Sequence, residues 1–359
     1  MTLALPSRRE EAWRWSDLSA LPALAAARPA RVARDVSGLR LGDGPFLVFV
    51  DGVFDATRSA PGPVALGPVD AASDHPLGRH AAGTGWTLAL ERDAAASGLV
   101  EIVHVGNGAA NHLAGRIALG ADAQASIVET FVGDGWSNRL TAITLAPSAR
   151  LMRAVRIDQT SGFQSLRDEA MIAENASLVT SVLAAGGAGS RIDGALTLAG
   201  VAAFAEMGGA LLSRGSQRHE AAVVVRHAAA SGTSRQSWRA VADDTATASL
   251  AARVEVARGA QKTDGEQSLR GLLLKRAATV NLKPELEIFA DDVKCAHGAT
   301  VGELDARALF YLESRGVPPA EARALLTQAF VADVLERVGE EKVRDAFLAA
   351  AGAWLGGAA

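Results

Sequence analysis

The chain has 359 residues, 36 of them basic and 40 acidic, for a net charge of -4. Hydrophobic residues at 49% and charged residues at 21% exclude a mainly disordered chain and supply a sizeable core. The near balance of charge argues against a dedicated nucleic-acid or anionic-membrane surface, and a single cysteine excludes an internal disulfide, a CxxC pair or a multi-thiolate metal site within one chain.

At the start, only Leu3, Ala4 and Leu5 form an apolar run before Arg8 and Arg9. A secretory signal needs a longer apolar core, and no 18-residue apolar stretch follows, so the cytoplasm is the expected location. Ser7 and Glu10 have the spacing of a capping box, and Trp13, Trp15, Leu18, Leu21 and Leu24 continue as a predicted helix. Pro22 to Pro29 reads as a break or linker. Phe46 to Val50, Asp51-Gly52 and Val53-Phe54 form the strongest hairpin signal, because Asp-Gly supplies the positive φ angles of a tight turn. Residues 56–85 read as irregular connection.

From about Trp86 to Thr300 short β-type runs recur. They are Leu99–Val105, Ile127–Val132, Ala142–Leu145, Met152–Ile157, Leu178–Leu183, Leu196–Leu198, Ala221–Val225, Leu250–Val256, Leu269–Leu274 and Glu285–Phe289. No long amphipathic helix separates them, so the middle is predicted all-β. Triplets beginning with Ala recur at Ala125, Ala149, Ala176, Ala248, Ala278 and Ala299, with a spacing of about 25 residues. With 36 Gly and 5% aromatics, that spacing suits stacked solenoid coils, in which small residues fit the corners. A β-sandwich with chance recurrence of Ala fits the same pattern.

After Gly302 the chain reads as helical. Asp305 to Arg315 is one segment, closed by Gly316 and Pro318-Pro319. Ala322, Leu325, Leu326, Ala329, Phe330 and Val334 give the second an apolar face. Gly339 separates a third, Glu340 to about Leu355.

The chain lacks a phosphate-binding G-x-x-x-x-G-K-[ST] loop, an H-E-x-x-H pair and a G-x-S-x-G elbow. One constellation stands out between Lys283 and Gly298. If it is a strand, Cys295 and His297 share a face with Cα atoms about 6.6 Å apart. A thiolate and an imidazole on one face make a soft metal half-site, to which Glu287, Asp291 and Asp292 can add carboxylates. Two ligands are too few for a closed site, so others would come from distant coils or another chain. A buried inert Cys and a hydrogen-bonded His explain the same residues. The other histidines, His75, His80, His104, His112, His219 and His227, lack a tight ligand spacing. Arg235, Arg239, Asp243 and Asp244 would serve a β-solenoid enzyme acting on polysaccharides, or are charged turns.

The run Lys-Pro-Glu-Leu-Glu-Ile-Phe-Ala-Asp-Asp-Val-Lys-Cys-Ala-His-Gly from Lys283, continuing to Asp305, resembles the signature of the SufB/SufD family of iron–sulfur cluster assembly proteins. Arg8 to Leu18, Leu47 to Phe54 and Ala308 to Gly316 resemble further motifs of that family, so the likeness covers nearly the whole chain. The length and N-terminal motif look like the D subunit rather than the longer B subunit, although the N-terminal region is shorter than in many members. The resemblance implies a mainly β chain with a right-handed parallel β-helix core at 86–302. An N-terminal helical and strand region at 1–85 would precede it, and a C-terminal helical region at 303–359 would bind the ATPase. It implies a complex with a SufB-like paralogue and a SufC-like ABC-type ATPase, which would carry the nucleotide site; the sequence leaves open whether the chain forms a homodimer in isolation. It implies no bound cofactor beyond a transient iron–sulfur cluster at the subunit interface. There His297 would act in assembly as a metal ligand shared with the partner chain, and Cys295 would be its less certain neighbour. The expected function is a non-catalytic scaffold. A carbohydrate-active β-solenoid enzyme and a structural adaptor with a silent Cys-x-His are the rival readings.

Overall fold

The short apolar runs of the middle region become strands that stack in parallel into a β-solenoid of about eight turns. The computed structural model describes residues 3–356 except 31, 33 and 82. A short helix, α1 (Leu21–Ala26), precedes the hairpin β1 (Phe46–Val50) and β2 (Val53–Phe54), then β3 (Val64–Val69) and β4 (Gly83–Leu90). The coils comprise β5 (Val100–Leu119), β6 (Gln124–Leu145), β7 (Arg150–Gln159), β8 (Phe163–Ile172), β9 (Ser177–Ala184), β10 (Gly189–Leu198) and β11 (Phe204–Ser213). They continue with β12 (Arg218–His227), β13 (Thr233–Ala242), β14 (Thr247–Val256), β15 (Asp264–Leu273), β16 (Thr279–Ile288) and β17 (Lys294–Gly302). Three helices follow: α2 (Ala306–Ser314), α3 (Pro319–Leu335) and α4 (Glu341–Gly356).

Each coil places strands in two parallel sheets. The first sheet runs β1-β5-β6-β7-β9-β11-β13-β15-β17. The second runs β4-β5-β6-β8-β10-β12-β14-β16. Partners on successive coils lie 26 residues apart at Gln124 and Arg150, and 32 apart at Thr247 and Thr279. The coil is therefore longer than the spacing of the Ala triplets. Arg150 does pair with Ser177, so the triplets at Ala149 and Ala176 are in register. Ala125 pairs with Leu151, so its triplet is two residues out of step, and those at Ala248 and Ala278 stand on the second sheet.

The true repeat is a corner. Asp122, Ser148, Asn175, Ala202, Ser231 and Lys262 all have φ between 54° and 62°. Their N–H groups donate along the stack to the carbonyls of Pro147, Glu174, Val201, Ala230, Gln261 and Asp292, over 2.5 to 3.1 Å. A small residue follows each of the first four, Ala123, Ala149, Ala176 and Ala203, and is fully buried. The chain turns inward there, and only a short side chain fits under the next coil.

The interior is mainly apolar, but in the first coils a charged network is sealed inside. His104 stacks between Phe49 and Phe131, with ring centroids 5.6 and 4.5 Å away. Its Nδ1 accepts from Arg139 Nε at 3.3 Å, so the neutral ring carries its proton on Nε2 and donates to Glu129 Oε2 at 2.9 Å. Arg153 bridges Glu129, at 2.7 Å, and Asp168. Burial opposes the charge on Glu129, but Arg153 and His104 outweigh it and hold the carboxyl down at about 2. Removing one partner from such a buried set costs about 3–5 kcal/mol, because the others are left unpaired.

Four expectations are corrected. The predicted N-terminal helix is only a single turn at Glu11–Trp13. Glu10 does reach back to the Ser7 N–H at 2.8 Å, but the Ser7 hydroxyl accepts from Arg9 and the chain then runs on so that Trp13, Ser16 and Leu18 become buried. The supposed linker from Pro22 contains α1, with Pro22 in its first turn, and residues 56–85 contain β3 and the start of β4. On α3 the buried face is Ala322, Thr327, Val331, Val334 and Leu335, whereas Leu325 is 44% exposed. That rotation is set by packing: Val331, Val334 and Leu335 meet Val343 and Phe347 of α4 and Val128, Leu183 and Leu212 of the first sheet.

Two outcomes follow. Ala202 holds a left-handed backbone at φ 56° that costs an L-residue about 1–2 kcal/mol. Ala202→Gly should stabilise the fold by up to about 1 kcal/mol in chemical denaturation. Burial holds His104, His112, His219 and His227 down at about 4. Their folded values lie below the unfolded value, so they contribute stability in full above pH ~6.5 and lose it as pH falls toward ~4. Each should add a slope of up to about 1.4 kcal/mol per pH unit in that window. A flat unfolding free energy from neutral pH into that range would contradict it.

Candidate functional site

The far end of the solenoid is uncovered. Among the described residues, β16 pairs only with β14 and β17 only with β15. Their side chains are half-buried or exposed along nearly their whole length, unlike every earlier coil strand. Ile288, Phe289 and Val301 are 38, 58 and 46% exposed there.

The two edges differ. Thr279 and Phe289 donate their N–H groups to Ala246 and Val256 of the β14 side, both at 2.9 Å. Alternation then turns the backbone of residue 284 to the free edge, where Pro284 has no N–H to offer. On β17, Lys294 donates to Thr263 at 2.8 Å. The N–H and C=O groups of Cys295, His297, Ala299 and Val301 therefore face outward, unpaired and free of proline. One edge is blocked against strand addition and the other is open to it.

Cys295 and His297 lie on this open strand, in register with Gly265 and Gln267. Gly265 and Gln267 are buried inward-facing positions of β15, so both motif side chains point into the mouth of the last coil. Cys295 is half-buried, packs with Val254, Val256 and Ala260, and fits over Gly265, which has no Cβ to displace it. Burial pushes its thiol above the ordinary range, and Asp264 adds to that despite a backbone contact from Gly265. This thiol is protonated near neutrality, so it is neither an activated nucleophile nor a ready ligand. His297 is exposed at the rim.

The neighbouring carboxylates do not join them. Glu287 pairs with Arg253, Glu285 lies 3.1 Å from Lys283, and Asp291 and Asp292 are exposed beyond the strand. Among the described residues, no three His, Cys, Asp or Glu side chains are placed to hold a metal. Most of the other residues weighed from sequence are occupied, whereas His80 packs against the His112 ring at 6.2 Å with its Nε2 unpartnered. Arg235 lies 2.8 Å from Asp264, Arg239 binds Asp333 of α3, and Asp244 lies 3.2 Å from Lys275. His219 and His227 bond Ser190 and Ser234 at 2.9 and 2.8 Å. His112 Nδ1 accepts from Asn138, and His75 packs on Trp13.

The N-terminal motif also reaches this end. Lys283 Nζ lies 2.6 Å from Glu11, and Ser16 donates to Glu220 at 2.6 Å. Arg191 stacks over Trp13 at 4.4 Å and binds Asp193 and Glu220. Sequence reasoning missed this clamp, because Arg191 and Glu220 meet only through the coil register.

The family model for the SUF system FeS cluster assembly, SufBD core domain, matches residues 103–330. The chain belongs to the SufBD family. It is 28% identical to the Escherichia coli iron–sulfur cluster assembly protein SufD over 383 aligned positions, 99% of this chain and 90% of that protein. It is 44% identical over 115 positions to the Arabidopsis thaliana protein ABCI7, chloroplastic, covering 32% of this chain and 24% of that one. It is 39% identical over 90 positions to the Bacillus subtilis SufD, covering 25% of this chain and 21% of that one. The SufBD core match spans the coils from β5 onward, β17 and its Cys-x-His, and most of α3. No helix among the described residues is long and apolar enough to cross a membrane.

Proposed function

We propose that this SufBD-family chain is a non-catalytic scaffold subunit, and that a nascent iron–sulfur cluster is built where its open end meets a SufB-like paralogue. The observation that carries the reading is β17: an unpaired strand edge that presents an exposed imidazole and an incomplete ligand set. A partner strand added to that edge satisfies the free backbone groups of Cys295, His297, Ala299 and Val301. It also covers Ile288, Phe289 and Val301 and brings the ligands that this chain lacks. His297 is the ligand offered from this side, and Cys295 stands beneath it as a packed thiol. Without the paralogue, a second copy of the chain takes the same edge and gives a homodimer.

A SufC-like ABC-type ATPase supplies the nucleotide site. It docks on the C-terminal helices, where α2 carries Phe310 at 73% and Tyr311 at 58% exposure. ATP binding shifts the scaffold only if the ATPase binds its two states differently. The complex works in the cytoplasm. The carbohydrate-enzyme reading loses its residues to ion pairs, since Arg235 and Arg239 are held by Asp264 and Asp333.

His297→Ala should fold normally and still bind the paralogue, but lower cluster yield at least about ten-fold in anaerobic reconstitution, as lost metal contacts commonly do. Unchanged yield would remove His297 from assembly. Ala299→Pro deletes a free-edge N–H without touching the β15 ladder. It should abolish co-purification with the paralogue while leaving the melting temperature nearly unchanged, and retained co-purification would refute strand addition at β17.

A further inference from the structure

Inside the last coils, one inward column of the first sheet holds Gln236, Gln267 and His297 on the adjacent strands β13, β15 and β17. Register sets them about 4.8 Å apart. Both glutamines are buried, at 0 and 1% exposure. Each crosses the interior to the second sheet: Gln236 Nε2 donates to Arg253 O at 3.0 Å, and Gln267 Nε2 to Glu285 O at 3.3 Å. Those bonds fix which end of each amide is which. The oxygens Gln236 Oε1 and Gln267 Oε1 are left buried with no partner.

A buried amide oxygen without a donor is costly, and two in one column mark a place where a donor belongs. The next residue in that column is His297, whose imidazole has an N–H to give. Lower down, Met207 fills the column beside Thr180, so the position does not demand a polar side chain for packing. The amide at 267 therefore calls for a reason beyond filling space.

We propose that Gln267 is a positioning residue for His297. Its free Oε1 takes an imidazole N–H, directly or across one water, and so fixes the tautomer and turns the other ring nitrogen, with its lone pair, out to the open mouth. Gln236 stands behind it as the next acceptor in the column. The inference deepens the reading of His297 as a cluster ligand, and its first test does not depend on that reading.

The test uses the full chain with 15N-labelled histidine at about pH 8.5, above the ordinary histidine range, where long-range 1H–15N correlations report which ring nitrogen carries the proton. One tautomer should dominate at His297 in the native protein and in Gln267→Glu, which keeps an acceptor. Gln267→Met should show the mixed tautomers of a free imidazole while keeping the native melting temperature. Mixed tautomers in the native protein, which needs no variant to fold, would overturn the proposal. So would a single tautomer that persists in Gln267→Met. In the reconstituted complex, Gln267→Met should lower cluster yield by roughly ten-fold with paralogue binding intact, and Gln267→Glu should restore most of it. If His297→Ala leaves yield unchanged while the tautomer pattern holds, the assembly reading fails and the positioning stands. If His297→Ala abolishes yield while Gln267→Met keeps one tautomer, the reverse is true.

Discussion

Every coil strand in this molecule depends on the coil beside it for its backbone hydrogen bonds. A solenoid satisfies its interior by repetition, and the cost collects at its two ends. The N-terminal end is closed by the chain itself. β1 pairs with β5, β2 folds back on β1, and Val36, Phe46 and Val48 cover Val103 and Val105. Among the described residues, no such element covers the other end. After β17 the chain leaves along the outer face of the first sheet, so α3 and α4 bury that face and leave the last coil bare. The exposed rim, the half-covered Cys295 and the free edge of β17 all follow from that route.

The two halves of the interior are stabilised differently. In the first coils, Glu129, Arg139, Arg153 and Asp168 are sealed with neutral His104, so charge is balanced inside and each group is held by the next. Such a cluster tolerates no loss of a single member, which sets that region apart as the rigid base. Toward the open end the polar interior residues are neutral: His219 and His227, bonded to Ser190 and Ser234, and then the amides Gln236 and Gln267. The two amides carry unspent acceptors rather than paired charges. That half can take up a new hydrogen-bond donor without disturbing an ion pair.

The β character, the hairpin at Asp51-Gly52 and the three C-terminal helices were legible because each is written locally, in apolar runs, turn residues and helix spacing. The coil was legible only in outline. Its repeat lies in backbone conformation, a left-handed residue followed by a buried small one, and Asp122, Ser148, Asn175 and Lys262 share no side-chain chemistry that a sequence pattern can find. β8, β11 and β13 escaped notice: the inward residues of β8 and β13 include Gln164, Asp168 and Gln236, and β11 is interrupted by Gly208-Gly209, rather than showing an unbroken apolar alternation. The Cys-x-His pair was legible through its motif. That it stands on an open edge was not, because exposure of β17 is set by where the stack stops. For the same reason, Pro284 reads in sequence as a strand interruption and in the fold as a blocked edge.

The asymmetry of the open end decides which edge an added strand can take. With Pro284 breaking the edge of β16, strand addition is directed to the first sheet, the one that carries His297. That sheet is also the one gripped from outside by the helices: Arg239 of β13 binds Asp333, Glu206 of β11 lies 3.2 Å from Arg337, and an apolar cluster fills the space between. α2 is different, since it has no buried residue of its own and presents Phe310 and Tyr311 to solvent. A load applied at α2 passes to α3, then to β11 and β13, and from β13 through β15 to β17. The second sheet stands outside this path. The ion pairs under α3 and His297 at the rim are thus joined by two strand steps of continuous hydrogen-bonded backbone, the shortest mechanical connection that this fold offers between its helices and its open end.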